Sequence, residues 1–321
     1  MGALEINILK LLIMRFLKHS LVCLSFWLNS VTNAQECIWL YPEGKVPNSK
    51  GVKVVDSLSN ERYYKIGRPR IIAYFTSKDE NKGTAVLIIP GGGYNHLTHN
   101  SGGIQFAKWF NTLGINAFVL YHRLPHSPDL IDKTIAPLQD VQRAIRIIRA
   151  NAATWNINPG LIGVMGTSAG GHVASTVGTH SEDVSDIKDS LTKFSFLPNF
   201  MILVSPVISM TGITHKGSRD KLLGEKPSDK LIKEYSNENM VTKNTPPTFL
   251  AHACNDSAVS PMNSLVFYEA LLRNKVSASL HIFPHGGHKI AMRNNPGSTN
   301  LWTTLCEQWM IEMGFLDSDK K

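Results

Sequence analysis

A hydroxyl, a carboxylate and an imidazole are the side chains from which acyl transfer can be built, and this chain offers them in the order Ser168, Asp256, His288. Ser168 is the centre of Gly166-Thr167-Ser168-Ala169-Gly170, preceded by the apolar run Leu161 to Met165 and followed by Gly171-His172-Val173-Ala174-Ser175-Thr176-Val177. That order reads as strand, tight turn and helix. A serine at such a turn is held in a strained backbone with its oxygen exposed, and flanking glycines let neighbouring backbone pass without a Cβ clash. The N-terminus of the helix then faces developing negative charge. With Gly and Ser each near ~7% of residues, the five-residue pattern recurs by chance in roughly one chain of this length in ten. The partners must therefore carry the reading.

The first partner is an anion-binding loop. Thr84 to Ile89 is a short apolar strand that runs into Pro90-Gly91-Gly92-Gly93-Tyr94. Three consecutive glycines cost folding entropy, and a loop whose N–H groups turn toward a substrate oxygen would offset it. The amides of this glycine run, with that of Ala169 after the nucleophile, are the candidate oxyanion donors; the bland alternative is a flexible strand-to-helix turn. The acid and base follow later in the chain. Pro247 to Ala253 reads as a buried strand with Asp256 just past its end, and a helix follows over Met262 to Asn274. The strand Ala278 to Phe283 then leads into Pro284-His285-Gly286-Gly287-His288. In that arrangement His288 takes the Ser168 proton while Asp256 fixes the imidazole tautomer and stabilises the imidazolium.

Rivals exist among twelve histidines and many carboxylates. His285 is the nearest, but the glycine pair after it gives His288 the better placement. Asp220 and Asp229 lie in a polar insertion away from any strand end, and Asp183, Asp186 and Asp189 read as a solvated acidic stretch. His96, His99, His285 and His288 have spacings compatible with Zn²⁺, yet no HExxH or CxxC accompanies them, so the expectation is no metal and no cofactor.

Taken together, the GTSAGGH turn, the PGGGY loop and the segment Phe118-Val119-Leu120-Tyr121-His122-Arg123-Leu124-Pro125 resemble an α/β-hydrolase of the serine esterase and lipase kind. Within it they are similar to bacterial carbohydrate esterases, the acetylxylan-esterase and feruloyl-esterase-like enzymes associated with xylanases. The resemblance covers nearly all of the chain after its N-terminal segment. It implies a mostly parallel central sheet with helices on both faces, a Ser168-His288-Asp256 triad, Gly92 and Gly93 ahead of Gly91 as the loop's oxyanion donors, and a small acyl group, acetyl, on the substrate. Where many lipase-type relatives have His before the glycine triplet, this chain has Pro90.

The elements that must position these residues are legible as alternating strands and helices, which argue for a parallel sheet. Helices are expected near Ile104 to Leu113, Pro137 to Ala152 and Asn300 to Met313, with further strands near Ala117 to Tyr121 and Phe200 to Ser205. The second helix carries an apolar stripe of Val141, Ala144, Ile145 and Ile148, and beside it Arg143, Arg146 and Arg149, expected as a solvated face. Trp302, Leu305, Trp309 and Met313 recur at helical spacing, which suits core packing better than sugar stacking. The polar stretch 207–245 is expected as a cap above the catalytic edge, the bland alternative being a surface loop with one short helix. Tyr94 has two open roles, substrate contact and loop anchor.

At 321 residues, 43% hydrophobic and 18% charged, the chain can bury a large core. Lys10, Arg15 and Lys18 precede the apolar run Leu21 to Leu28 and the small-residue exit Thr32-Asn33-Ala34, so residues 1–34 read as a cleaved signal peptide and 35–321 as the catalytic domain. The apolar run is short for a membrane span, so no stable membrane insertion is expected. Removing 1–34 takes three basic residues and one acidic one, lowering the net charge from +8 to +6. The remaining cations are scattered, which gives nucleic-acid binding no support. Cys37, Cys254 and Cys306 remain and allow at most one disulfide. The single glycosylation sequon, Asn255-Asp256-Ser257, would set a glycan beside the proposed acid, which favours a bacterial periplasm or exterior. The expectation is a secreted serine hydrolase that deacylates a plant polysaccharide ester. Its alternatives are a peptidase or aryl (feruloyl) esterase of the same fold and, in another class, a non-catalytic carbohydrate-binding protein.

Overall fold

In a parallel sheet both faces are covered, so its strands must be apolar throughout rather than alternating. The middle of this chain supplies such strands. The computed structural model describes residues 35–317, and the expected leader, 1–34, lies outside the described residues. In chain order the strands are β1 (Gln35–Trp39), β2 (Ser57–Ser59), β3 (Arg62–Lys65), β4 (Arg70–Tyr74), β5 (Ala85–Ile89), β6 (Asn116–Tyr121), β7 (Ile162–Thr167), β8 (Met201–Val204), β9 (Thr248–Ala253) and β10 (Ala278–Phe283). Eight of them form one sheet in the order β1-β4-β6-β5-β7-β8-β9-β10, while β2 and β3 pair as a separate hairpin. From β6 to β10 every pairing is parallel; β4 joins β6, and β1 joins β4, antiparallel.

Side chains of successive strand residues leave the sheet on opposite sides. Leu87, Ile89, Val164, Leu203 and Leu250 enter one core; Val86, Ile88, Met165, Ile202 and Phe249 enter the other. The first core is closed by the helices Ala136–Ala150, Ala169–Thr179 and Met262–Arg273 through residues such as Val141, Ile145, Val173 and Phe267. The second is closed by Gln105–Thr112 and Trp302–Glu312. Trp302 and Trp309 are buried there, in the packing role their spacing indicated.

The strand order reverses at β5, whose neighbours are β6 on one side and β7 on the other. Connections leaving β5 and β7 therefore diverge to opposite faces, and a crevice opens beyond their C-terminal ends. The loop at Pro90 and the turn at Ser168 both begin at that crevice.

One expectation is corrected, and one alternative falls away. Arg143 and Arg146 are buried, not solvated: Arg143 pairs with Asp189 at 2.7 Å and donates to the Leu40 carbonyl at 2.8 Å, while Arg146 pairs with Asp183 at 2.6 Å and donates to the Phe194 carbonyl at 3.0 Å. Arg149 donates to the carbonyl of Leu197 at 3.0 Å. The stripe fastens the segment after the helix Ala169–Thr179, and the Arg146 guanidinium, outweighing the effect of partial burial, draws the Asp183 carboxyl down to about 2. Of the acidic stretch, only Asp186 is left without such a partner among the described residues. The stretch 207–245 contains the helices Lys216–Leu223 and Asp229–Glu234 and a 3₁₀ turn at Asn237–Asn239, more structure than one short helix. Among the described residues no helix is long and apolar enough to cross a membrane, and Cys37, Cys254 and Cys306 are all free thiols.

Candidate active site

Ser168 sits between β7 and the helix Ala169–Thr179 at φ 55° and ψ −125°, a region that costs a residue with a Cβ on the order of 1–3 kcal/mol. The surroundings hold it there. Its N–H donates to the Val204 carbonyl at 3.1 Å, and its own carbonyl accepts from Val207 at 3.0 Å. The flanking glycines are required by contact: a Cβ on Gly166 would lie 2.3 Å from the Gly170 oxygen, and one on Gly170 would lie 2.1 Å from the Ile89 oxygen. Strand, turn and the start of the glycine loop are thus pressed together at a spacing that leaves no room for side chains at Gly166 and Gly170.

The His288 Nε2 lies 2.9 Å from Ser168 Oγ, and its Nδ1 lies 2.7 Å from Asp256 Oδ2. Three separate strand ends supply these groups, β7 for the serine, β9 for the acid and β10 for the base. Gly287 donates its N–H to Asn255 Oδ1 at 2.9 Å, which ties the histidine loop to the acid loop. The Asp256 side chain is fully buried. Burial pushes its carboxyl up, but hydrogen bonds from His252, His288 and the Val259 amide outweigh this and hold it well below the usual carboxylate range. With Asp256 ionised, Nδ1 of His288 carries the proton and Nε2 is free to accept the one on Ser168.

His252 is a residue the sequence reading missed. It is completely buried on β9; its Nε2 lies 3.2 Å from Asp256 Oδ2 and 3.0 Å from the Val259 carbonyl, and its Nδ1 lies 2.8 Å from Ser264 Oγ. Because Nε2 faces two acceptors it must carry the proton. Asp256 therefore receives two imidazole N–H groups on Oδ2, while Oδ1 accepts from Ala258 and Val259, each at 2.9 Å. The available signal was a histidine inside an otherwise apolar strand, four residues before the candidate acid.

Opposite the serine, the glycine loop is folded on itself. Asn95 and His96 both donate to the Gly92 carbonyl, at 3.0 and 3.2 Å, with Gly92 at φ 135° and Gly93 at φ 63°. A Cβ on Gly92 would lie 2.1 Å from the His96 oxygen. The Gly91 N–H is used by Thr167 Oγ1 at 3.1 Å. Among the described residues the amides of Gly92, Gly93 and Ala169 have no acceptor, the condition expected of donors kept for an anion.

Tyr94 is turned away from this space. It is buried at φ 58°, and its hydroxyl donates to His172 Nδ1 at 2.7 Å. Of its two open roles, substrate contact and loop anchor, its surroundings support the anchor. His172 Nε2 in turn donates to the Tyr235 carbonyl at 2.8 Å, so one buried imidazole joins the glycine loop, the helix Ala169–Thr179 and the stretch 207–245. Burial, only partly opposed by that carbonyl, draws its pKa down to about 4.

The rivals have other employment. His285 is exposed, Asp220 pairs with Lys216, and Asp229 lies in the first turn of a short helix. His99 Nδ1 lies 2.8 Å from the Tyr121 hydroxyl, and the His96 ring packs 5.3 Å from that of Tyr64. Among the described residues no group of three or more His, Cys, Asp or Glu is arranged to hold a metal ion.

Comparison with known proteins agrees with this architecture. A family model described as BD-FAE matches residues 73–271, more than half of the chain. An acetylxylan esterase of Xylanibacter ruminicola is 36% identical over 227 residues, covering 69% of this chain and 44% of that protein. An endo-1,4-beta-xylanase B of Butyrivibrio fibrisolvens is 35% identical over 227 residues, covering 71% and 35%. The chain thus spans less than half the length of either relative. The crystal structure of an acetyl ester-xyloside bifunctional hydrolase from Caldicellulosiruptor lactoaceticus superposes with a TM-score of 0.75 at 37% identity, covering 88% of this chain and 97% of that one. The carboxylesterase Cest-2923 from Lactobacillus plantarum, at 24% identity and a TM-score of 0.67, shares the fold.

Proposed function

The chain belongs to the BD-FAE family and has the α/β-hydrolase fold, and from that premise we propose that it is a serine esterase that removes acetyl groups from xylan or xylo-oligosaccharides. The observation that carries the reading is the continuous relay from Ser168 Oγ through His288 to Asp256, at 2.9 and 2.7 Å, beside three amides without acceptors. The choice of an acetylated xylan draws on the relatives, whose names include acetylxylan esterase and acetyl ester-xyloside hydrolase.

In this mechanism Ser168 Oγ attacks the ester carbonyl carbon while its proton passes to His288 Nε2. The carbonyl π-electrons move onto oxygen, and the amides of Gly92, Gly93 and Ala169 bind that oxyanion; losing one such donor costs about 10²–10³ in rate. The intermediate collapses, the bond to the sugar oxygen breaks, and the imidazolium gives its proton to that departing oxygen, which leaves as a free hydroxyl. Water then attacks the acyl-enzyme, giving one proton to His288; in a second collapse the bond to Oγ breaks, Oγ takes that proton back from the imidazolium, and acetic acid leaves, ionising to acetate, with Ser168 restored. Asp256 remains ionised throughout and stabilises the imidazolium. The stretch 207–245, rooted at the end of β8, serves as a cap over this edge.

The test is acetate release from acetylated xylan. Wild type is expected to release acetate, and S168A is expected to lose activity by a factor on the order of 10⁶ while remaining folded. A wild type inactive on acetylated xylan but active on methyl ferulate or a dipeptide amide would reassign the substrate, and a folded wild type inactive on every ester would favour a binding protein.

A further inference from the structure

His215 lies in the stretch 207–245, far in sequence from the relay, yet it faces the same space. It is the N-cap of the helix Lys216–Leu223: its side chain accepts from the Ser218 N–H at 3.2 Å through Nδ1, which also lies 2.8 Å from Ser218 Oγ. An N–H donor on Nδ1 leaves the proton of the neutral imidazole on Nε2. The tautomer is thereby set by the cap. Among the described residues Nε2 has no hydrogen-bond partner, and it is not sealed from solvent.

The ring is held against the oxyanion loop. A Cβ on Gly93 would lie 3.6 Å from His215 Cε1 and 4.0 Å from Ser218 Oγ, ordinary contact distances. His215 is also close enough to the relay to feel it: half-burial depresses its pKa first, the neighbouring His288 depresses it further, and Asp256 opposes. A half-buried imidazole kept neutral and offering one unused N–H beside the glycine loop is a directional donor of fixed orientation. An acyl group as small as acetyl does not need it, because the oxyanion amides already bind the carbonyl oxygen. The group that remains is the leaving sugar.

The geometry points to His215 as a specificity residue that donates Nε2–H to a hydroxyl or ring oxygen of the carbohydrate carrying the ester. This rests on the reading of the site as a carbohydrate esterase and adds to it which residue recognises the alcohol half of the substrate. It also gives the stretch 207–245 a binding task beyond covering the edge of the sheet.

The test compares two acetate esters with different alcohols, acetylated xylobiose and nitrophenyl acetate, in wild type and in H215N. Asparagine is among the preferred N-caps, so the helix start is retained while the donor beyond it is withdrawn. Loss of one neutral hydrogen bond corresponds to about tenfold in binding. The expected result is a KM for acetylated xylobiose that rises about tenfold more than the KM for nitrophenyl acetate, with kcat on the two esters changing in parallel. A KM that does not rise, or one that rises equally for both esters, overturns the role of His215. H215Q, whose longer amide can reach farther, is expected to recover part of the discrimination. A wild type that cleaves nitrophenyl acetate but no acetylated sugar contradicts instead the substrate reading beneath the proposal.

Discussion

At the scale of single residues, the site depends on how tightly Asp256 is held. Its two oxygens accept from His288, His252, Ala258 and Val259, so the carboxylate has little freedom to rotate away from the base. D256N is expected to leave the fold intact and to lower kcat about 10⁴-fold, because the amide can present N–H to Nδ1 and favour the wrong tautomer. The same loss from D220N or D229N in place of D256N would mean the acid is misassigned. His252 touches no substrate and acts through Asp256. H252A is expected to lower kcat/KM about 10²-fold through misplacement of the acid, with H252Q, which keeps an N–H, less affected; equal activity in all three proteins would show that His252 is only packing. Ser168, Asp256 and His288 could be singled out because each lies shortly after a recognisable strand. His252 was not, since a histidine inside a strand carries no sign of which neighbour it serves.

At the scale of elements, the joint at His172 connects three segments that the reaction needs together. Its pKa of about 4 has a consequence for stability. The unfolded chain takes up this proton near pH 6.5 and the folded chain only near 4. Stability is therefore complete at and above pH 6.5 and falls as pH drops from 6.5 toward 4, by about 3 kcal/mol at roughly 1.4 kcal/mol per pH unit. Denaturant melts between pH 7 and pH 4 measure it: the H172Q protein is expected to lose that part of the slope, and an unchanged slope would contradict the assignment. The central strands and the helix Ala136–Ala150 could be read from periodicity, but the burial of its arginines could not. Their carboxylate partners lie 37 to 46 residues later, and local pattern reports a charge without saying what pairs with it. The strands β1 and β4, at the antiparallel end of the sheet, escaped for a related reason. β1 is mostly exposed and gains its place by antiparallel pairing with β4, a long-range contact that composition does not record.

At the scale of the whole molecule, the fold brings groups from residues 92, 168, 256 and 288 to one rim because the strand order reverses beside β7. That arrangement follows from parallel β-α-β connections and could be anticipated from alternating elements; 207–245 was expected as a cap, but its polar sequence gives no hint that His215 packs beside the glycine loop. The central claim is that Ser168 is a nucleophile activated by His288. Its most direct measurement is the intact mass of the folded protein after treatment with an organophosphonate serine probe, followed by peptide mapping. One adduct on the peptide containing Ser168, absent in S168A and formed at a greatly reduced rate in H288A, is the predicted result; an unmodified wild type, or an adduct that persists in S168A, contradicts the account.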